Sequence, residues 1–418
     1  MDLLVEKLDG SRYYLSQYKV LITDFEESAP SVTRNSKQLD QRNGNIDFGG
    51  WHTDKTINVT GYYRADDIDE EETLREKLYA LLSDPDGYYI TQLKTSPEEA
   101  MERPGETSGG YYDKLSNYPS HKRFLVYTEA PEMELVGNVN GTLLYKLTAE
   151  FKTMKLPYGE TPAVDVAIDS PYKDVPVNML TGTAASKSYY GTNYAINPIV
   201  YVEVPIPGTS YSFSVNSDNS DHAISIEAWA VDADGNRKLR LGSNTIGPNS
   251  RGSINFMWPL SGVDGAVKIR IDAAWTNEKD SGSYILSHEK LEIGTTASPW
   301  SPNPADPEYY SLAGNVSIPY SGSVPCNQLE QGFTVQFTAT GSASSLSFKI
   351  DDTELTYSGP VASDDVFVFS GFSYTQNGLS IVSKTNKAYF ILRPDKPNRI
   401  TCNVPGKVRI LGFQNLYA

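Results

Sequence analysis

The sequence predicts a mainly β protein made of successive β-sandwiches, with one helix in the first of them. Three observations predict this. Apolar residues recur with a period of two, as where Val267, Ile269, Ile271 and Ala273 alternate with Lys268, Arg270 and Asp272. Turn formers punctuate these runs, with 32 Gly, 25 Pro and the hairpin signals Asp234-Gly235 and Asn377-Gly378. The 28 tyrosines suit half-buried pleated surfaces. At 418 residues the chain has room for roughly three such units.

The first unit is expected over 1–155. Val20-Leu21-Ile22-Thr23-Asp24-Phe25 reads as a short strand, and Ile57-Asn58-Val59-Thr60-Gly61-Tyr62-Tyr63 as a half-buried one. Between them, 43–51 reads as a turn-rich, flexible loop. A helix is predicted over 69–83. Asp69 serves as its cap and Glu72 completes a capping box, with Leu74, Leu78, Leu81 and Leu82 on one stripe. Asp84-Pro85-Asp86-Gly87 stops it. Tyr88-Tyr89-Ile90, 122–127 and 143–151 resume the sheet, and 95–119 reads as a long loop or arm.

Residues 156–177 carry prolines and no clear periodicity, and are expected to be a linker. A second sandwich is predicted over 178–303, with strands at 199–204, 210–216, 223–231, 238–241, 253–258, 266–273 and 284–293. A third follows over 304–418, with Val335/Phe337, Leu346/Phe348/Ile350 and 366–369 among its strands.

Charge and motifs bound the function. The net charge of −16 disfavours binding to nucleic acid, although an acidic wall suits a channel through which DNA slides. No apolar run approaches the ~18 residues of a membrane span, and the acidic start lacks the marks of an export signal. Folding in a cytoplasm, with Cys326 and Cys402 as reduced thiols, is therefore expected. His288-Glu289 lacks the second histidine of a zinc-protease helix. Asp232-Ala233-Asp234-Gly235-Asn236 has Ser243 where a calcium loop needs its glutamate. His52 near Asp54 is expected to be structural. No metal, cofactor or catalytic residue is assigned, and the chain is expected not to be an enzyme.

The aromatics of the second sandwich carry the ligand signal. Sugar rings expose apolar C–H faces, which tryptophan and tyrosine cover while polar neighbours bind hydroxyls. Tyr189, Tyr190 and Tyr194 lie in a polar, glycine-containing stretch expected to be a loop. Strand parity sets Trp229 opposite Ile224, Ile226 and Ala228, hence outward if those are core. Trp275, and with less reason Trp258, stand at strand ends, where they either meet a ligand or plug the sandwich. The carbohydrate-binding candidates are Tyr189, Tyr190, Tyr194, Trp229 and Trp275.

Several segments carry a family resemblance. Ile22-Thr23-Asp24-Phe25, 40–50, 58–63, the helix before Gly87-Tyr88-Tyr89-Ile90 and the exit Leu156-Pro157-Tyr158-Gly159 resemble the N-terminal belt domain of siphophage distal tail proteins. From about Gly314, with Gly322-Ser323-Val324-Pro325, the last unit resembles that family's galectin-like domain. The second sandwich resembles an inserted jelly-roll carbohydrate-binding module through 204–213, Lys290-Leu291-Glu292-Ile293-Gly294 and Ser298-Pro299-Trp300-Ser301-Pro302. The resemblance implies a phage tail-tip protein assembled in the host cytoplasm. It implies a homohexameric ring between the tail tube protein and a tail-associated lysin or fibre protein, a receptor-binding protein as a further partner, and host cell-wall polysaccharide as ligand. A cell-wall glycoside hydrolase with an accessory sugar module is the alternative reading.

Overall fold

The computed structural model describes residues 1–41, 43–94, 119–192, 196–218, 222–261, 263–276 and 281–418. Three separate hydrophobic cores organise them.

The N-terminal unit comprises β1 (Asp2–Lys7), β2 (Arg12–Tyr14), β3 (Val20–Glu27), β4 (Val32–Gln38), β5 (Asn45–His52), β6 (Thr56–Ala65), α1 (Ile68–Leu82), β7 (Tyr88–Leu93), β8 (Phe124–Thr128), β9 (Glu132–Val139) and β10 (Thr142–Thr153). Its main sheet runs β2-β1-β7-β8-β10-β6-β3, with β9 on β10. Leu74, Leu78, Leu81 and Leu82 of α1 lie in one core cluster with Leu3, Ile57, Tyr88 and Phe151, as the leucine stripe predicts. The cap is not Asp69. Asp67 has the extended backbone a cap requires, and its carboxylate accepts the Glu70 N–H at 2.7 Å; Asp69 falls in the first turn, where it faces the positive end of the dipole. The stretch 43–51 is not a loop either. Most of it forms β5, which pairs with β4 alone as an exposed two-stranded ribbon. The segment read as an arm lies, over 95–118, outside the described residues.

The expected linker contributes to a sheet. β11 (Gly159–Glu160) and β12 (Val164–Ile168) pair with strands at the C-terminal end of the chain, and Tyr158, Val166 and Ile168 pack on the third core. Five alternating residues were too short a run to reveal a strand whose partner lies so far away.

The middle unit holds β13 (Lys187–Thr192), β14 (Asn197–Val202), β15 (Ser210–Ser217), β16 (Ile224–Val231), β17 (Arg237–Ile246), β18 (Ser250–Met257), β19 (Lys268–Trp275) and β20 (Ser281–Ile293). Two four-stranded sheets, β13-β20-β15-β18 and β14-β19-β16-β17, enclose a core that includes Phe213, Leu291, Ile226 and Ile271. The chain entering and leaving this unit is bound together. Asn178 is fully buried; its amide nitrogen donates to Thr183 Oγ1 and to the carbonyls of Glu289 and Ser301. Its amide oxygen accepts the N–H groups of Leu180 and Leu291. The Lys290-to-Ser298 motif closes the same joint. Buried Lys290 donates to Ser298 Oγ at 2.6 Å and the Pro299 carbonyl at 2.9 Å, beside Glu292.

The C-terminal unit continues with β21 (Ala313–Ser317), β22 (Cys326–Asn327), β23 (Thr334–Ala339), β24 (Leu346–Ile350), β25 (Thr353–Tyr357), β26 (Val366–Phe369), β27 (Tyr374–Gln376), β28 (Leu379–Ser380), β29 (Ile391–Leu392), β30 (Arg399–Cys402), β31 (Gly406–Phe413) and β32 (Leu416–Tyr417). Its sheets β12-β31-β23-β26-β27-β28 and β21-β30-β24-β25 meet over Phe337, Phe348, Phe367 and Phe390. Asn377 and Gly378, both at positive φ, turn β27 into β28 as the dipeptide predicts. Both cysteines are free thiols.

Candidate functional site

The outer face of the β14-β19-β16-β17 sheet carries the most developed polar arrangement of the middle unit. Parity explains it. Ile224, Ile226 and Ala228 of β16 and Ile269, Ile271 and Ala273 of β19 turn inward and are fully buried or nearly so. Ser225, Glu227, Trp229, Arg270 and Asp272 therefore share the opposite face, with Glu227 beside Asp272 and Trp229 beside Arg270 across the strand pair.

A groove of about 370 Å³ runs over this face, lined by Ser225, Glu227, Arg237, Thr245, Asp272 and Trp275 among others. Asp272 is its anchor. Only 2% exposed, it accepts hydrogen bonds from Arg237 at 2.7 Å and from Arg270 at 3.0 Å. A buried carboxylate needs such partners, because an unpaired charge there is costly. The Arg237 guanidinium also lies 4.4 Å over the Trp229 ring, a cation–π contact that fixes both planes. Trp229 Nε1 donates to Glu227 at 2.9 Å, and Glu227 stands 3.5 Å from Arg240. The network thus presents planar donors and acceptors in fixed positions beside an indole.

The structure distributes the five aromatic candidates unevenly. Trp229 points outward and does not itself line the groove; it is held by Glu227 and covered on one face by Arg237, both of which do. Trp275 is core-facing and only 4% exposed, yet it lines the groove, and its Nε1 has no hydrogen-bond partner among the described residues. Its ring meets Tyr284 at 5.1 Å and His222 at 5.6 Å, edge-on in both cases. Tyr189 lies in β13, not in a loop, and stacks on Tyr284 at 5.8 Å. Burial, and then the nearby Glu289 carboxylate, push its phenol up to about 12. Tyr190 is exposed, and its carbonyl accepts Asn197 Nδ2 next to Ile196, which lines the groove. Tyr194 lies outside the described residues. Trp258 is buried in the core.

Sequence reasoning missed Glu227, Arg237 and Asp272. The alternation of β19 gave Asp272 a wet face; only the guanidinium of Arg237, reaching across β16 from β17, reveals that it is buried. His52 pairs with Tyr158 Oη at 2.7 Å. No cluster able to hold a metal ion occurs among the described residues.

Residues 8–138 match the family of the phage tail protein RIFT-related domain. Among solved structures the chain is similar to the Dit protein of phage SPP1, described as a hub of the adsorption apparatus in phages infecting Gram-positive bacteria. The identity is 12% over 69% of this chain and 98% of that one, with a TM-score of 0.27. It is similar to the baseplate of phage p2 at 10% identity over 71% and 99%, with a TM-score of 0.28. A carbohydrate-binding module of the β-sandwich superfamily gives 10% identity over 65% and 97%, with a TM-score of 0.22. Likenesses of that size carry no argument of their own, and no curated protein matches the chain. The RIFT-related domain occupies the stretch that contains Ile22–Phe25, the leucine helix and Asn58–Tyr63. The first unit of the chain thus carries a phage tail protein RIFT-related domain.

Proposed function

We propose that this protein is a hub of the tail tip that also adheres to host cell-wall saccharide through the outer groove of its middle unit. The observation that carries the adhesion reading is the Asp272–Arg237–Trp229–Glu227 network, in which a buried carboxylate holds a guanidinium flat against an outward indole. Such a surface offers rigid hydrogen-bonding groups for vicinal hydroxyls and an apolar flank for a sugar ring. Tyr189, Tyr190, Tyr194, Trp229 and Trp275 are proposed to border the bound saccharide, with Glu227 and Arg237 contacting it.

Two exposed apolar features of the N-terminal unit support a self-assembling hub. The ribbon shows Leu39 at its tip and Phe48 midway along β5, and the β9–β10 region shows Leu135, Val136 and Val139. An isolated two-stranded ribbon gains little stability alone, so a second copy is its natural cover. Two different patches on one chain make head-to-tail contacts, which form a ring when the rotation between copies closes. In this reading six copies form the ring, the tail tube protein docks on one side, and a lysin or fibre protein on the other. Multiple copies turn a weak sugar site into firm adhesion.

The test is labelling of Gram-positive cells by the fluorescently tagged full-length chain. Surface labelling that drops on Glu227→Ala and Trp229→Ala is the expected result. Labelling unaffected by either substitution, or no labelling across a broad strain panel, would leave the protein an assembly hub alone.

A further inference from the structure

A second cleft, remote from the middle unit, carries ligand chemistry that the function above does not use. It lies where the base of the β4–β5 ribbon, the segment 155–163 and the C-terminal unit meet. Its outer compartment, about 560 Å³, is lined by Val32, Trp51, His52, Pro157, Tyr158 and Glu330. Lys155, Leu156, Tyr158 and Glu330 are shared with an inner compartment of about 270 Å³, lined also by Tyr89, Arg123, Glu160, Gln331 and Gln414.

Three features mark the cleft as a binding site and not merely a seam. Trp51 is 55% exposed on its wall, an indole face with no ring contact among the described residues. The His52–Tyr158 hydrogen bond and their edge-on rings, 5.7 Å apart, hold the adjoining wall in place. At the inner end, Arg123 Nε, Glu160 Oε1 and Gln331 Nε2 are buried without hydrogen-bond partners among the described residues. Glu160 Oε1 faces the Arg123 guanidinium at 3.9 Å, which leaves Gln331 Nε2 with no partner of any kind among the described residues; buried polar atoms are nearly always satisfied, so it points to an occupant.

We propose that this cleft is a second saccharide site, taking a neutral sugar whose C–H face stacks on Trp51 and whose hydroxyls meet Glu330, Gln331 and the inner polar groups. The chemistry favours a sugar over a peptide. A hydroxyl both donates and accepts, which matches the Gln331 amide donor beside the Glu330 carboxylate. A peptide strand needs unpaired backbone groups on the wall, whereas those of Arg123 and Glu160 already bond each other. It also favours a neutral ligand. Arg123 is paired with Glu6 at 2.6 Å, and the exposed Lys155 and Glu330 carry opposite charges. The site straddles the N- and C-terminal units, so occupancy would brace their junction.

The experiment is saturation-transfer NMR on the full-length chain with methyl glucoside, methyl galactoside, N-acetylglucosamine and rhamnose as probes. The Glu227→Ala chain serves as the background, to silence the middle groove. Transfer that persists in this background and weakens roughly five- to tenfold on adding Trp51→Ala, the size of one lost aromatic platform, is the expected result. Gln331→Ala should weaken it too, and a thermal melt checks that each variant is folded. Absence of transfer from all four sugars in the Glu227→Ala background overturns the proposal. So does transfer indifferent to Trp51→Ala, or a polypeptide found in the cleft of an assembled tail tip. Loss of all transfer on Glu227→Ala alone would sink the second site while leaving the first intact.

Discussion

Replacing Asn178 by alanine should release the joint that closes the middle unit. The side chain reaches five partners at 3.0–3.1 Å, its two amide N–H groups shared among three acceptors and its oxygen accepting two N–H groups, all within the joint. At about 1 kcal/mol net for each of four full bonds, the gross loss is about 4 kcal/mol. Water entering beside Thr183 and Ser301 recovers part of it, which leaves about 2–3 kcal/mol. For a unit of this size the midpoint should fall by roughly 6–15 °C. Differential scanning calorimetry of the full-length chain reads this directly, because three separate cores give transitions that shift independently. The transition of the middle core should drop while the other two stay. A shift under about 3 °C would refute the reasoning, since it would mean that water replaces the amide at no cost.

Other perturbations probe the remaining units. Gly406→Ala places a Cβ 2.3 Å from Phe337 Cε2 and 2.6 Å from the Thr338 carbonyl, so it should destabilise only the C-terminal core, by about 1–3 kcal/mol in a urea melt. Glu27 is partly buried, which pushes its carboxyl up, but bonds from Lys122 and Lys55 outweigh this and hold it below the usual range. Its folded value is thus below its unfolded one, so the stability it adds is present above about pH 4.3 and is lost as pH falls through the folded value. Glu27→Gln should flatten that acid limb in urea midpoints measured against pH; an unchanged limb would remove Glu27 from the account. Under the proposed ring assembly, Phe48→Asp should abolish ring closure with a tail tube protein, read as particle mass by mass photometry. Arg237→Ala should uncover Trp229 and shift its emission to the red, and an unshifted spectrum would show that the stack does not persist in solution.

What the sequence reveals depends on how far apart the determining residues lie. The leucine stripe of α1 is legible because its partners are one turn apart. Its cap is not, since Asp67 and Asp69 are both competent and only the extended backbone at 67 decides. Trp229 could be oriented from Ile224, Ile226 and Ala228, because strand parity is local. β5 was hidden because it has no core face, so Gly49-Gly50 and scattered polar residues looked like a loop. Tyr189 and Tyr190 were misread for a related reason, as the polar Gly191-Thr192 that follows them masks a strand resting on β20. The groove was least legible of all. Nothing in Arg237 or Asp272 announces that folding brings them into contact across two strands.

The pairing of β12 with β31 has a consequence for how the chain is made. Asp165 finds its partners Arg409 and Gly412 only 244 and 247 residues later. At cellular elongation rates, β12 leaves the ribosome on the order of 10–50 s before β31 exists. During that interval the middle unit, whose strands pair among themselves, has time to fold completely. The C-terminal sandwich must instead hold one bare strand in waiting and close last, around a finished neighbour. Any slowing of translation beyond Trp300 prolongs the exposure of that strand, which makes this stretch the most vulnerable step in the protein's biogenesis.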